Sequence, residues 1–307
     1  MTLTELRYIV TLAREGHFGR AAERCFVSQP TLSVAVKKLE AELGVTLFER
    51  NKNGVQPTPV GLQVVEQAQK VLSEAKRIDE LAKNGRDPLT SPLRLGAIYT
   101  IAPYLFPQLI PKLRHIAPNM PLYLEEGYTE TLRAKLIRGE LDAIVIALPF
   151  AEPDILIRRL YDEPFMALLP HDHPWSERTC IDATELNQTP LLLLGEGHCF
   201  RDQLLEACGG LSSQGERLVT EGSSLETIRQ MVASGLGSTA LPLSAINPQQ
   251  HSPLVKAIPF SDPAPQRTLA LAWRASFTRP KAIDILTDTL CQCAVTLPAS
   301  SIKALQP

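Results

Sequence analysis

No apolar run in this chain approaches the ~18 residues that cross a bilayer. Met1-Thr2-Leu3-Thr4-Glu5 also lacks the basic region and long apolar core of a signal peptide. No membrane association and a cytoplasmic location are therefore expected. A surplus of charge is missing too. The formal net charge of −2 excludes a basic nucleic-acid surface over the whole molecule. There is no glycine-rich phosphate loop, no hydrolase nucleophile elbow and no zinc-ligand array. His171-Asp172-His173 before Pro174 reads as a surface turn, and Cys291 and Cys293 alone fall short of the usual four metal ligands. No metal and no cofactor are expected. What remains, 44% hydrophobic and 21% charged, is ordinary for a globular chain, and 307 residues suffice for two or three domains.

Six cysteines in a reducing compartment do not read as a static disulfide framework. Cys199 and Cys208 stand out. The stretch between them has no Gly or Pro, carries Leu204 and Leu205, and is followed by Gly209-Gly210, a helix stop. As a helix, its nine steps of about 1.5 Å put the two Cα atoms roughly 13 Å apart. A disulfide needs about 4.4–6.8 Å. Helix and cross-link exclude each other, which makes the segment a candidate chemical switch. Cys199 lies where free N–H groups of a helix start favour a thiolate, with positive charge available from His198 and Arg201 and opposed by Glu196 and Asp202. Cys208 lies at the end whose dipole raises a thiol pKa. The first therefore reads as the attacking sulfur and the second as its resolving partner. The alternative is that each cysteine only fills space. That reading suits Cys25 (helical core), Cys180 (loop), and Cys291 and Cys293 (different sides of a helix).

The first sixty residues hold eight Lys/Arg against six Asp/Glu, a mild basic excess. Leu3, Leu6, Ile9, Val10 and Ala13 recur at helical spacing until Gly16. A second helix fits Gly19 to Cys25, with Phe18, Phe26 and Val27 closing a small core. A third starts at the N-cap Ser28, with Pro30 in its first turn, Leu32, Val36, Leu39 and Leu43 inward, and Gly44 as stop. Gln29, Pro30, Ser33, Val34 and Lys37 face outward. This is a helix-turn-helix whose polar start (Ser28, Gln29, Thr31, Ser33) suits a major groove, while Lys37 and Lys38 suit phosphates. Asn53-Gly54 turns a following hairpin into a wing carrying Arg50 and Lys52. After Thr58-Pro59, the residues Val64, Ala68, Val71, Ala75, Ile78 and Ala82 form a four-three seam suited to a dimerising coiled coil. Asp87-Pro88-Leu89-Thr90-Ser91-Pro92 reads as a hinge.

The phrase Phe18-Gly19-Arg20-Ala21-Ala22, Val27-Ser28-Gln29-Pro30-Thr31-Leu32-Ser33, Lys38-Leu39-Glu40, Leu43-Gly44, Leu47-Phe48-Glu49-Arg50 and Thr58-Pro59-Val60-Gly61 resembles the signature of LysR-type transcriptional regulators. Gly19 and Lys52 depart from the usual Ser/Thr and Arg. The resemblance implies an α/β protein with an N-terminal winged helix-turn-helix (1–58), a linker helix and hinge (59–92), and a two-lobed, periplasmic-binding-protein-like regulatory domain (93–307). Lobe one is placed at 93–162 plus 268–307, and lobe two at 163–267.

From Leu93 onward, short apolar strands alternate with helices, an α/β arrangement. The strands are expected at Leu93–Ile98, Leu122–Gly127, Ala143–Leu148, Phe165–Leu169, Leu191–Leu194, Arg217–Glu221, Thr239–Leu241 and Thr268–Trp273. The helices are expected at Pro103–Ala117, Thr131–Gly139 and Leu225–Ser234. Ligands in such sheets sit beyond the carboxyl ends of strands. Thr100, Thr129, Ser223 and Ser224 fall there. Gly197-His198-Cys199 with Arg201-Asp202-Gln203 and Cys208 resembles the peroxide-sensing branch of the LysR family. That branch implies Thr100, Thr129, His198, Asp202 and Arg267 as a peroxide pocket around Cys199, with Cys208 as resolving thiol. His198, as a protonated donor, or a water held by Asp202 would protonate the leaving oxygen. It also implies double-stranded DNA, RNA polymerase, hydrogen peroxide and a glutaredoxin or thioredoxin reductant as partners of a homodimer or homotetramer, and a non-enzymatic role. Two rivals stay open: a regulator answering to a small organic acid, and a thiol peroxidase with an appended domain.

Overall fold

The computed structural model describes residues 1–51, 54–83, 88–208, 220–246 and 252–294. It divides the chain into two units, residues 1–86 and 87–307.

The first unit opens with helix α1 (Leu3–Glu15), started by a capping box between Thr2 and Glu5 and ended by Gly16 in the left-handed conformation. Helix α2 spans Phe18–Arg24 and α3 spans Gln29–Leu43. The Ser28 hydroxyl accepts the Thr31 N–H at 3.3 Å and caps α3, and Gly44 at φ 70° ends it. Strands β1 (Phe48–Asn51) and β2 (Gly54–Pro57) pair antiparallel as the wing. Helix α4 (Pro59–Lys83) starts at Thr58, whose hydroxyl accepts from Gly61 and donates to the Thr46 carbonyl. Only glycine fits at 61, because a Cβ there would lie 2.0 Å from the Leu47 oxygen.

Leu6, Ile9, Leu12, Ala21, Leu32, Val36, Leu39 and Leu47 form the core of this unit. Three expectations are corrected here. Phe26 does not close that core: it adopts φ 58° in the turn and is 95% exposed, while Val27 packs in its stead. Leu43, in the final turn before Gly44, is exposed at 38%. Ala68 is not free to serve a dimer seam, because the first half of α4 lies on α1 and buries Val65 and Ala68 in the unit's own core, with Val64 packed alongside. Further along α4, Ala75 is half-buried, and Val71 and Ile78 remain exposed. The side chains of Arg50 and Ala82, and all of Lys52, lie outside the described residues.

In the second unit, β3 (Leu93–Ile98) runs parallel to β4 (Leu122–Gly127) and β5 (Ala143–Ala147). β5 then pairs antiparallel with β11 (Gln266–Arg274), and β11 with the first half of β6 (Ile155–Pro170). Helices α5 (Ala102–Ile116), α6 (Thr129–Ile137) and α9 (Pro280–Cys291) cover this lobe-one sheet. The second half of β6 continues into lobe two, between β9 (Thr239–Pro242) and β10 (Val255–Pro259). A parallel pair, β7 (Leu192–Leu194) and β8 (Thr220–Gly222), joins it through a Leu191–Ser238 bridge. Helices α7 (Cys199–Ala207) and α8 (Leu225–Ala233) complete lobe two.

The expected strand at 165–169 is thus the inner half of a 16-residue strand shared by both lobes. Its outer half, Ile155–Glu163, breaks its apolar residues with Arg158-Arg159 and Asp162-Glu163 and is largely exposed, so neither an apolar run nor a period of two marked it. The expected hinge is held down from residue 88. Buried Arg279, at the start of α9, donates to the carbonyls of Ser91 (2.8 Å) and Pro92 (2.6 Å). Of the strand expected at Arg217–Glu221, and of the Gly209-Gly210 stop, only Thr220 onward lies within the described residues.

Candidate functional site

The carboxyl ends of three strands converge, as the topology of open α/β sheets favours. β3 delivers Ile98, Tyr99 and Thr100; β4 delivers Gly127, Tyr128 and Thr129; the turn after β7 delivers Gly197, His198 and Cys199. Together they line a small pocket of about 10 Å³, open on one side, with room for a molecule near the size of water. Gly197 turns the chain into α7 at φ 91°, and a Cβ there would press on the Tyr128 ring at 3.3 Å.

Cys199 is the first residue of α7, half-buried, and packs against the lobe-one core. One step on, Phe200 enters the lobe-two core and meets the Phe165 ring edge-on at 5.0 Å. Leu204 and Cys208 follow it there. Cys208 is 1% exposed, and burial pushes its thiol up to about 11. Asn187 donates to the Cys208 carbonyl and so satisfies a free acceptor at the end of α7.

Thr100, Thr129, His198 and Cys199 are therefore brought together as expected neighbours. Arg267 reaches them indirectly. It is wholly buried, donates to the Thr100 hydroxyl at 2.8 Å and carbonyl at 3.1 Å, and pairs through Nε with Glu163 Oε2 at 2.8 Å. The other Glu163 oxygen accepts the Ser244 N–H. With a lone pair of Thr100 Oγ taken by Arg267, its own proton is left for the cavity. The Thr129 hydroxyl oxygen is buried with no hydrogen-bond partner in the protein.

Asp202 is exposed on α7 and does not line the cavity. Burial also holds His198 below the ordinary imidazole value, against a smaller opposing effect of its hydrogen bond to the Ser223 backbone. The ring is thus neutral near pH 7, not the protonated donor expected. Arg201 is engaged by the Leu194 carbonyl and Glu221 (2.6 Å), which directs its charge away from Cys199.

Tyr99, Tyr128 and Glu163 were not foreseen, and Gln203 entered only as part of the motif, with no role. Gln203 donates to the Leu148 carbonyl and ties α7 to the end of β5. The two tyrosines had a signal: each strand end repeats Tyr-Thr, at 99–100 and 128–129. Their rings and that of His198 form one cluster, with centroids 4.8–6.0 Å apart. On its other side lies a wider cleft of about 290 Å³, lined also by Glu126, Ser223 and Ser224. Glu163 had no sequence signal, because it meets Arg267 only as a cross-strand partner between β6 and β11.

On the first unit, Ser28, Gln29, Pro30, Thr31 and Lys37 are exposed and Ser33 half-exposed. Pro30, Ser33, Val34 and Lys37 share one stripe of α3, opposite Leu32, Val36 and Leu39. The Ser28 and Thr31 hydroxyls bond each other at 2.8 Å as part of the cap. Lys38 lies 3.5 Å from Glu5.

Among the described residues no helix is long and apolar enough to cross a membrane. The family model described as a bacterial regulatory helix-turn-helix protein of the lysR family matches residues 3–62, and the LysR substrate binding domain model matches residues 86–292. A protein of Escherichia coli K12 described as the DNA-binding transcriptional dual regulator OxyR is 40% identical over 274 residues, 89% of this chain and 90% of that one. A hydrogen peroxide-inducible genes activator of Pectobacterium carotovorum is 39% identical over 290 residues, 94% of this chain and 96% of that one. Among solved structures, a full-length Cys-to-Asp variant of OxyR from Pseudomonas aeruginosa is 59% identical, covers 97% of this chain and 99% of its own, and superposes with a TM-score of 0.78. With both family models matched and these relatives aligned over 89% or more of the chain, it belongs to the LysR family of transcriptional regulators, in its OxyR branch.

Proposed function

We propose that the protein is a DNA-binding regulator that senses hydrogen peroxide through a Cys199–Cys208 thiol/disulfide switch and activates oxidative-stress defence genes. The observation that carries this reading is the pair of thiols on α7, one at a water-sized cavity and the other sealed in a different core. In the reaction, the Cys199 thiolate attacks one peroxide oxygen and the O–O bond breaks. Hydroxide leaves, takes a proton and becomes water, and Cys199 becomes a sulfenic acid. The Thr100 proton, set by Arg267, supports the leaving oxygen, and Thr129 orients the peroxide. Cys208, once released from its core, attacks the sulfenic sulfur and expels a second water. One peroxide and two thiols thus give one disulfide and two waters. A glutaredoxin or thioredoxin returns both thiols. Peroxide is consumed stoichiometrically, so the role is not that of an enzyme.

The polar start of α3 (Ser28, Gln29, Pro30, Thr31, Ser33) reads base edges in a major groove, and Lys37, with Arg50 and Lys52 of the wing, holds backbone phosphates. Two reading heads require a dimer, with Val71 and Ile78 as exposed positions of the α4 seam that support pairing and Ala75 half-buried between them. Tetramers, contact with RNA polymerase and a cytoplasmic location complete the reading.

The test treats reduced full-length protein with one equivalent of hydrogen peroxide and maps disulfides by peptide mass spectrometry, with DNA footprints of both redox states. A Cys199–Cys208 link, absent in Cys199→Ser, is expected, together with an altered footprint. If Cys199 stays reduced while other thiols oxidise, the peroxide reading falls, and the 290 Å³ cleft becomes the place to seek an organic effector.

A further inference from the structure

Tyr99, Thr100, Tyr128 and His198 line both the small cavity at Cys199 and the wider cleft between the lobes. Both spaces are open on one side, and these four residues form the boundary the two share. The cavity takes a molecule near the size of water, whereas the cleft, at about 290 Å³, takes a small organic molecule. Three rings form most of the boundary. Tyr128 meets His198 edge-on at 4.8 Å and Tyr99 edge-on at 5.1 Å. His198 is held by its surroundings, being only 7% exposed. The two tyrosines are 42% and 40% exposed, so each has an open side toward which it can swing. Behind Tyr128 the backbone is Gly197, where even a methyl group would crowd the ring.

We propose that Tyr128, seconded by Tyr99, is a gate that sets substrate specificity: it admits hydrogen peroxide from the cleft to Cys199 and excludes organic hydroperoxides. The proposal rests on the peroxide reading above. For any hydroperoxide ROOH the step is the same: sulfur bonds to the terminal oxygen, the O–O bond breaks, and RO⁻ leaves and is protonated to ROH. With hydrogen peroxide R is a hydrogen, which needs little more room than the cavity holds. With tert-butyl hydroperoxide R carries four carbons on the departing oxygen, and these must lie where Tyr128 closes on Gly197 and His198. The chemistry does not discriminate between the two; the ring does. Thr100 and Arg267 serve both reactions alike, so the gate is separable from the groups that assist O–O cleavage.

The experiment measures second-order rate constants for Cys199 oxidation in full-length protein with hydrogen peroxide and with tert-butyl hydroperoxide. Wild type, Tyr128→Ala, Tyr128→Phe and Tyr128→Leu are compared. The ratio of the two rate constants should fall at least tenfold in Tyr128→Ala, chiefly through faster reaction with the organic peroxide, and should hold in Tyr128→Phe, which keeps the ring. Slow alkylation of Cys208 reports that α7 is intact. If Tyr128→Ala exposes Cys208, Tyr128→Leu supplies the same comparison with most of the volume retained, and a ratio between those of the other two is expected. A ratio unchanged within twofold in a variant with Cys208 protected overturns the gate alone. If wild-type Cys199 fails to react with hydrogen peroxide at all, the peroxide reading and the gate both fall.

Discussion

Cys199 and Cys208 are carried by a single helix, yet their side chains lie against different hydrophobic cores. Cys199 packs against lobe one, and Cys208, with Phe200 and Leu204, is part of lobe two. Joining them requires α7 to unwind, which pulls on the core that holds Phe200, Leu204 and Cys208. Each large side chain released costs about 1.5–3 kcal/mol in lost burial. The packing of the reduced state therefore opposes formation of the disulfide, and redox chemistry becomes a change of shape.

Loosening that packing should make oxidation easier. Leu204→Ala removes reduced-state stability of about 3 kcal/mol. If Leu204 is exposed in the disulfide form, the Cys199–Cys208 couple moves about 60 mV more negative. Equilibration against glutathione buffers, read by mass spectrometry, checks this. An unchanged potential would mean Leu204 stays buried after oxidation.

Burial raises the Cys208 thiol from 9.0 to about 11, so the reduced fold keeps a proton that the unfolded chain releases. The associated stability is fully present below pH 9 and is lost as pH rises toward 11, an interval worth about 2–3 kcal/mol. Urea midpoints of wild type should therefore fall more steeply over that range than those of Cys208→Ser, which has no thiol to titrate. At pH 8, Cys208 should alkylate at least tenfold more slowly than exposed Cys180.

Glu163→Gln strands the buried Arg267 charge and should lower unfolding stability by about 3–5 kcal/mol. It also frees Arg267 from the geometry that orients Thr100, so Cys199 oxidation by peroxide should slow tenfold or more. Replacing both partners by Met should restore stability in denaturant titrations without restoring the rate. Recovery of both together would assign the pair a structural role only.

On the DNA face, Lys37→Ala should reduce the slope of log K against log salt by about 1 and weaken binding to all sequences alike. Gln29→Ala should cost about 1–3 kcal/mol on cognate DNA and little on random DNA. Titrations at four salt concentrations separate the two. A salt slope changed by Gln29→Ala would move that residue to the backbone.

Local rules written in neighbouring residues made much of this protein legible in advance. Ser28 caps α3 because its oxygen reaches the N–H three residues on. Gly16 and Gly44 end helices because they tolerate positive φ. The helix-forming run between Cys199 and Cys208, and the incompatibility of that helix with a cross-link, follow from chain geometry alone. Tertiary structure decided what depends on partners distant in sequence. Ile155–Glu163 is a strand only because β11 pairs with it, and that pairing sets Glu163 opposite Arg267. Ala68 turns inward because α1 lies beside it, and Phe26 turns outward because Val27 has its place in the core. His198 is neutral because three strand ends bury it, a desolvation that no residue near it in sequence supplies. The separation of the two thiols between two cores, on which the switch turns, exists only once β6 has joined the lobes and α7 has been laid between them.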